Sequence, residues 1–370
     1  MVVVGAGVFG ASLARELAGT GWDVTLVDRF PPGHVRAASG GESRLIRCSH
    51  GGDRWYARSA RRARELWREV EAEAGRELLV EAGVLWLARR ENGWEAESER
   101  ALRAEGIPVE RLVPDEAGRL FPSFDPDGLA FCLLEPEAGV LRAKEATAAL
   151  AQQAQARGAR FLGGTARPAD ADVEIDGARL AADRVVWACG AWLAGLFPSL
   201  VQLEVTRQEN FFFGAPLAWA TPPVPAWIDY EEAFYGLGDL DGRGLKAASD
   251  REGDPIDPDS ATRLTSPGEE QSVRSYLGRR FPALGDAPAV GSHVCQYSLT
   301  PDTNFLIAPH PEHEGVWIVG GGSGHGFKHG PALARYVASL LDGRELPDER
   351  FGLGPRGKRR NLRSAVSVRG

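Results

Sequence analysis

Three glycines near the start of the chain, Gly5, Gly7 and Gly10, have the G-x-G-x-x-G spacing that cradles a pyrophosphate. Each has its own task. Gly5 makes a tight turn, Gly7 lets backbone approach the phosphates, and Gly10 lets a helix pack closely on the preceding strand. Val8 and Phe9 open that helix, whose N-terminus faces the negative charge. Asp28 ends the next apolar run, where its carboxylate can accept hydrogen bonds from adenosine ribose hydroxyls. This set reads as a dinucleotide site. It does not separate FAD from NAD, but Asp28 would repel the 2′-phosphate of NADP.

The elements around the glycines fit that chemistry. Val2 to Val4 form an apolar strand, Ala11 to Ala18 place Leu13, Ala14 and Leu17 on one helical face, and Val24 to Val27 form a second buried strand. Helical spacing returns around residues 56 to 75, at Lys144 to Gly158 and at Pro331 to Leu341. A buried strand from Arg184 to Ala188 enters the turn Gly190-Ala191-Trp192, and Val316 to Val319 enter a glycine run from Gly320 to Gly326. Short strands such as Gly83 to Leu87 and Leu129 to Leu133 fill Leu79 to Leu141 around one amphipathic helix. Residues 205 to 280 read as mixed strands and turns.

The chain has 370 residues, too many for one ordinary core. Units of βα and strand-rich type each recur, so two interleaved domains are expected. The fold class is α/β. A Rossmann-type domain takes residues 1–78, 142–204 and 285–370. An α+β substrate domain on a mixed, mainly antiparallel sheet takes residues 79–141 and 205–284.

The formal charge of −8 should repel nucleic acid and anionic membranes. A basic cluster at Lys358, Arg359, Arg360 and Arg363 runs against this and reads as a solvated tail. No apolar run approaches the roughly 20 residues of a membrane span, and no basic leader precedes Val2. Cys48, Cys132, Cys189 and Cys295 are widely spaced, which suits a reducing cytoplasm and gives no zinc site. No metal is expected, and a monomer is favoured.

Four further segments narrow the reading. They are Ser39 to Arg47 (SGGESRLIR), Glu135 to Leu141 (EPEAGVL), Val294 to Asp302 (VCQYSLTPD) and Gly321 to Lys328 (GGSGHGFK). In this order, from about residue 2 to about residue 341, the chain resembles the monomeric sarcosine oxidase family. That family includes N-methyltryptophan and pipecolate oxidases, within the wider D-amino-acid-oxidase-like flavoproteins. The resemblance implies FAD, held by the glycine motif and Asp28 together with Ser39, Arg44, Gly190, Trp192, Gly321, Gly324 and Gly326.

The resemblance also implies roles for the chemistry-bearing residues. The family attaches its flavin to a cysteine in a C-x-Y-[ST]-x-T-x-D segment, which Cys295 to Asp302 matches. A thiolate is the nucleophile such a bond needs, although a lone cysteine is otherwise most often a small buried hydrophobe. Arg47 and Lys328 match a clamp for the substrate carboxylate, with Lys328 also against the cofactor; taken singly, each would read as a structural ion pair. Lys246 matches a lysine beside the flavin that stabilises charge as molecular oxygen takes up electrons; its bland alternative is a surface lysine. Tyr235 and Tyr297 would line the substrate cavity, and His325 would face flavin or substrate. The implied reaction oxidises the C–N bond of a small anionic or zwitterionic amine, such as an N-methyl amino acid, to an imine, and oxygen leaves as hydrogen peroxide.

Three departures from the family pattern touch substrate choice. Asp250 stands where sarcosine oxidases have a histidine, Gly40 replaces a second histidine, and Gly322 replaces a phenylalanine. An added carboxylate could take a cationic part of a substrate or face water, and a pocket opened at Gly322 could take a cyclic amine. Three alternatives therefore stay open. They are an imine-forming oxidase of a cyclic, pipecolate- or proline-like amino acid in biosynthesis, a dehydrogenase with another electron acceptor, and a non-catalytic flavin-binding subunit.

Overall fold

A computed structural model describes residues 1–357, so the basic cluster at Lys358 to Arg363 lies outside the described residues. The first sheet is built on Val2–Val4, which pairs in parallel with Thr25–Asp28 on one side and Val185–Trp187 on the other. Arg160–Gly163 and Val316–Gly320 extend it in parallel, and Leu306–Pro309 closes one edge antiparallel. Parallel strands must be covered on both faces. The helices Val8–Ala18, Ala143–Ala156 and Gly330–Leu341 bury Leu13, Leu17, Leu150 and Val337 against Val3, Leu26 and Val186. On the opposite face, Val173 and Ile175 of a three-stranded antiparallel sheet pack with Val2, Val4 and Val185. Each fully buried aliphatic side chain of this kind contributes roughly 1.5–3 kcal/mol.

The long helix Arg54–Ala74 begins where Asp53 accepts the N–H groups of Trp55 and Tyr56, and ends at Gly75 with φ +64°. Tyr56, Ala60, Ala63, Trp67 and Val70 lie at alternating spacings of four and three, so one face is buried. The indole N–H of Trp67 donates to the Lys328 carbonyl at 2.8 Å, which ties this helix to the turn carrying Lys328.

The second sheet has eight strands. Its order is Ala289–Leu299, Glu204–Phe213, Leu245–Ser249, Phe234–Asp239, Ala226–Asp229, Val84–Ala88, Phe131–Glu135 and Glu110–Leu112. Every neighbouring pair is antiparallel except Ala226–Asp229 with Val84–Ala88. This is the α/β plus mixed-sheet architecture expected from the sequence.

Two details differ from that expectation. Ala289–Leu299, grouped by sequence with the dinucleotide domain, pairs along its length with Glu204–Phe213 and so belongs to the second sheet. Residues 205–280 also contain a helix, Pro267–Arg280, which covers that sheet through Val273, Tyr276 and Leu277. A small fourth sheet joins Ser43–Ile46 to Gly139–Arg142 and Leu79–Glu81, linking segments assigned to different domains. No described helix is long and apolar enough to cross a membrane.

Candidate active site

A cavity of about 730 Å³ opens at the carboxyl ends of Val2–Val4 and Thr25–Asp28, within the range of ligand pockets. Gly5, Gly7, Val8, Phe9, Asp28, Ser39, Arg44, Gly190, Trp192, Cys295, Gly321, Gly324 and Gly326 all line it. Gly5 has φ +105°, and a Cβ there would lie 2.4 Å from the Ala188 carbonyl oxygen. Gly10 is absent from the lining. A Cβ at Gly10 would stand 1.8 Å from the Gly5 oxygen, so this glycine serves close helix–strand packing.

Asp28 fixes the turn as well as facing the cavity. Its two oxygens accept the N–H groups of Ala6 at 2.7 Å and Phe30 at 2.8 Å. Burial raises its pKa against those bonds. Ser39 Oγ accepts the N–H of Val8 at 2.8 Å. Asp259 and Arg29 also line the cavity, and they form an ion pair. The Trp192 indole donates to Asp259 at 3.0 Å. The sequence reading gave neither Asp259 nor Arg29 a role, because their pairing spans distant segments.

A second cavity, of about 90 Å³, shares Arg44, Cys295, Tyr297, Gly324 and Phe327 with the first. Arg47, Tyr235, Lys246, Tyr297, His325 and Lys328 all line it. Residues from four remote parts of the chain therefore meet beside Cys295. The cationic side chains in this wall are Arg44, Arg47, Lys246 and Lys328, against the single carboxylate of Asp250.

The backbone explains how they converge. Ser43–Ile46 delivers Arg44 and leads to Arg47. Register pairs Phe212 with Lys246 and Gln208 with Cys295, which aligns three strands across the cavity floor. Glu135 braces the Arg47 segment by accepting the Cys48 N–H and the Ser49 hydroxyl, each at 2.6 Å, and the Trp86 indole at 2.9 Å. Arg47 donates to the Ser49 carbonyl and lies 5.1 Å from the Trp86 ring centroid. Glu135 lies within one of the family-like segments, yet sequence gave no sign that it would be a buried counter-charge.

Electrostatics in this wall are dominated by burial. Burial lowers Arg47, and burial with the Arg47 charge holds Lys328 well below the ordinary lysine range. The Lys328 ammonium donates to the His325 carbonyl at 2.8 Å. Lys246 reaches the Ser43 carbonyl at 3.2 Å, and burial, then Arg44, lowers it to about 7. Tyr235 donates to Asn210 at 2.9 Å, and burial raises its phenol. Tyr297 donates to Asp250 at 3.0 Å. Arg44 donates to Cys295 Sγ at 3.2 Å, a fixed positive charge against the sulfur.

Three sequence expectations need correction. Lys328 lines the small cavity and not the large one, because its side chain turns toward Arg47 and the His325 carbonyl. Gly322 lines the large cavity, so its missing side chain does not enlarge the small one. Gly40 lines neither; its carbonyl accepts from Arg44 at 2.7 Å, and a Cβ would meet the His34 oxygen at 2.5 Å. Asp302, to which the sequence gave no role, ends the cysteine segment and accepts from Arg356 at 2.8 Å and from the Asn304 N–H.

Comparison with known proteins agrees with this geometry. The family profile DAO, FAD dependent oxidoreductase, matches residues 1–340. Monomeric sarcosine oxidase of Bacillus sp. (strain B-0618) is 31% identical, with 92% of this chain and 91% of that protein covered. N-methyl-L-tryptophan oxidase of Yersinia pestis (strain Pestoides F) is 25% identical, covering 94% and 96%. The crystal structure of L-proline dehydrogenase from P. horikoshii shares the fold with a TM-score of 0.83 at 23% identity, covering 95% and 96%. A glycine-lined cavity on a parallel sheet, a cation-rich second cavity opening from it, and a profile match over nearly the whole chain lead to one assignment: the chain belongs to the DAO family of FAD-dependent oxidoreductases.

Proposed function

We propose that this enzyme oxidises the C–N bond of a small amine bearing a carboxylate to an imine, with FAD in the larger cavity and tethered through Cys295. The observation that carries the reading is the meeting of Arg47 and Lys328 in a small cavity that shares Cys295 with the large one. FAD, when bound, supplies the two-electron acceptor. Gly5, Gly7, Ser39 and Arg44 would hold it, and Asp28 would take its ribose. Open space above Gly7, where a Cβ would meet only Ser39 Oγ at 3.3 Å, fits close approach by a phosphate.

The protein's own part is binding, orientation and charge. Arg47 offers a planar fork to the substrate carboxylate, and Lys328 adds a second positive charge. Their field disfavours a protonated amine, which keeps the nitrogen lone pair ready for oxidation. Asp250 is positioned to receive the amine end of a zwitterion and to balance the excess of cations. Lys246 provides positive charge for the reduction of molecular oxygen, so hydrogen peroxide is the second product. The small volume favours sarcosine-like N-methyl or compact cyclic amino acids over bulky ones.

The same fold is found in a protein named as a dehydrogenase and not as an oxidase, so the acceptor needs its own assay. The test is an anaerobic screen of N-methyl, cyclic and D-amino acids for bleaching of the flavin, followed by peroxide measurement in air. Bleaching by a compact amino acid and its failure with the matching amine lacking the carboxylate is expected. Bleaching by neutral amines alone would overturn the reading.

A further inference from the structure

Three histidines from separate segments, His50, His325 and His329, meet in the interior with 1%, 4% and 0% exposure. One ring nitrogen of each lies within 4.8 Å of the other two. One nitrogen of each ring is anchored. His50 Nδ1 is 2.9 Å from the Cys48 carbonyl, His325 Nε2 is 2.9 Å from the Thr303 carbonyl, and His329 Nδ1 is 2.9 Å from Ser59 Oγ. A carbonyl can only accept, so His50 carries its proton on Nδ1 and His325 on Nε2. His50 Nε2 is therefore a lone pair. Neither it nor His329 Nε2 finds a hydrogen-bond partner among the described residues.

A buried acceptor without a donor costs roughly 1–3 kcal/mol, so this centre calls for an electron-pair acceptor. The anchoring is the pattern that orients metal-binding imidazoles: the far N–H held by a carbonyl or hydroxyl. Tyr56 and Phe305 wall the centre, with ring centroids 5.0 Å and 5.2 Å from His325. Thr303, whose carbonyl fixes His325, has φ +60°, an uncommon conformation for a β-branched residue.

We propose that His50, His325 and His329 form a buried site for a divalent transition-metal ion, Zn²⁺ before others, with a fourth position left to a small ligand. Three imidazoles suit zinc, copper and nickel. Zinc–nitrogen distances near 2.0–2.1 Å require the nitrogens to stand about 3.4 Å apart, so the rings close by at most about 1.4 Å on binding. Arg47 and Lys328 act on His50 as like charges to a cation, and the carboxylates of Glu135 and Asp250 act on Lys328. His50 is three residues beyond Arg47 and His329 directly follows Lys328. The ion would therefore pin the two segments that carry the carboxylate clamp. The metal site stands on the histidines alone; only this consequence rests on the proposed function.

The test uses flavin-loaded protein from cells grown with added zinc, or with added cobalt. After gel filtration, elemental analysis should find about one metal per chain, and the cobalt form should show the visible d–d bands of a low-coordinate nitrogen site. His50→Gln and His329→Gln should each lose that metal. Folded wild-type protein without stoichiometric metal from either culture would overturn the proposal. So would metal retained equally by both variants, which marks an adventitious ion only. If the variants do not fold, the cobalt spectrum of the wild type decides: bands without imidazole-type nitrogen ligation overturn the site. Flavin bleaching by amino acids is read on the same samples, so a failure of the metal site leaves the oxidase reading separately measurable.

Discussion

Replacing Lys246 by Met should stabilise the flavin-free protein near neutral pH, by an amount that shrinks as pH rises. Lys246 is 4% exposed, with its ammonium held by the Ser43 carbonyl and hydroxyl at 3.2 and 3.3 Å. Burial and then Arg44 lower its pKa, while Cys295 and Glu42 raise it, leaving about 7 against an ordinary 10.5. Tyr235, with its ring 6.0 Å away, and His293, itself lowered by Lys246, complete the surroundings. A difference of roughly 3.5 units corresponds to about 5 kcal/mol. Between pH 7 and 10.5 the unfolded chain holds this proton and the folded chain does not, so wild-type stability rises with pH across that window. Below pH 7 the full penalty is present. Urea unfolding followed by tryptophan fluorescence, on both proteins from riboflavin-starved cells, isolates this group because other titrations cancel in the difference. The advantage of the Met variant should fall by about 1.4 kcal/mol per pH unit between about pH 7.5 and 10. Parallel stability curves for the two proteins would show that Lys246 is neither desolvated nor shifted as argued.

Other predictions follow from the same geometry. Arg47→Lys loses the planar fork while keeping a charge, so kcat/KM for the oxidised amino acid should drop by about a hundredfold or more, about 3 kcal/mol; steady-state kinetics on the purified variant check this. Cys295→Ser should fold with little change in Tm but release its flavin on acid precipitation, whereas the wild-type pellet stays yellow. Gly10→Ala would force a Cβ to within 1.8 Å of the Gly5 oxygen. It should therefore cost more than about 3 kcal/mol or abolish flavin retention, read by denaturant unfolding and by the flavin-to-protein absorbance ratio.

What could be read from sequence was mostly local. The glycine spacing, the helix after it and Asp28 lie within one βαβ unit, so their roles follow from spacing and hydrophobic pattern alone. The convergence of Arg47, Lys246, Cys295 and Lys328 is tertiary, and only the resemblance to a family made it visible before the structure. The pairing of Ala289–Leu299 with Glu204–Phe213 was not legible, because the first residues of the strand are exposed and its partner lies far away in sequence. Helix Pro267–Arg280 went unnoticed because Arg280 occupies one of its few buried positions. Its start was nonetheless written in Ser266, Pro267 and Glu269, a capping serine with proline at the first turn and the Glu269 N–H donated to the serine hydroxyl. His50 and His329 carried no signal at all. Each is a single histidine in a different segment, and only folding brings their rings together.

The central claim is that a carboxylate docks on Arg47 and Lys328 next to the flavin. A titration of the holoenzyme's visible flavin spectrum with a simple carboxylate that cannot be oxidised tests this most directly. A saturable spectral shift in the wild type, lost in Arg47→Gln and in Lys328→Gln, is the result the structure predicts. A shift of equal size and affinity in both variants, or none in the wild type, would contradict it.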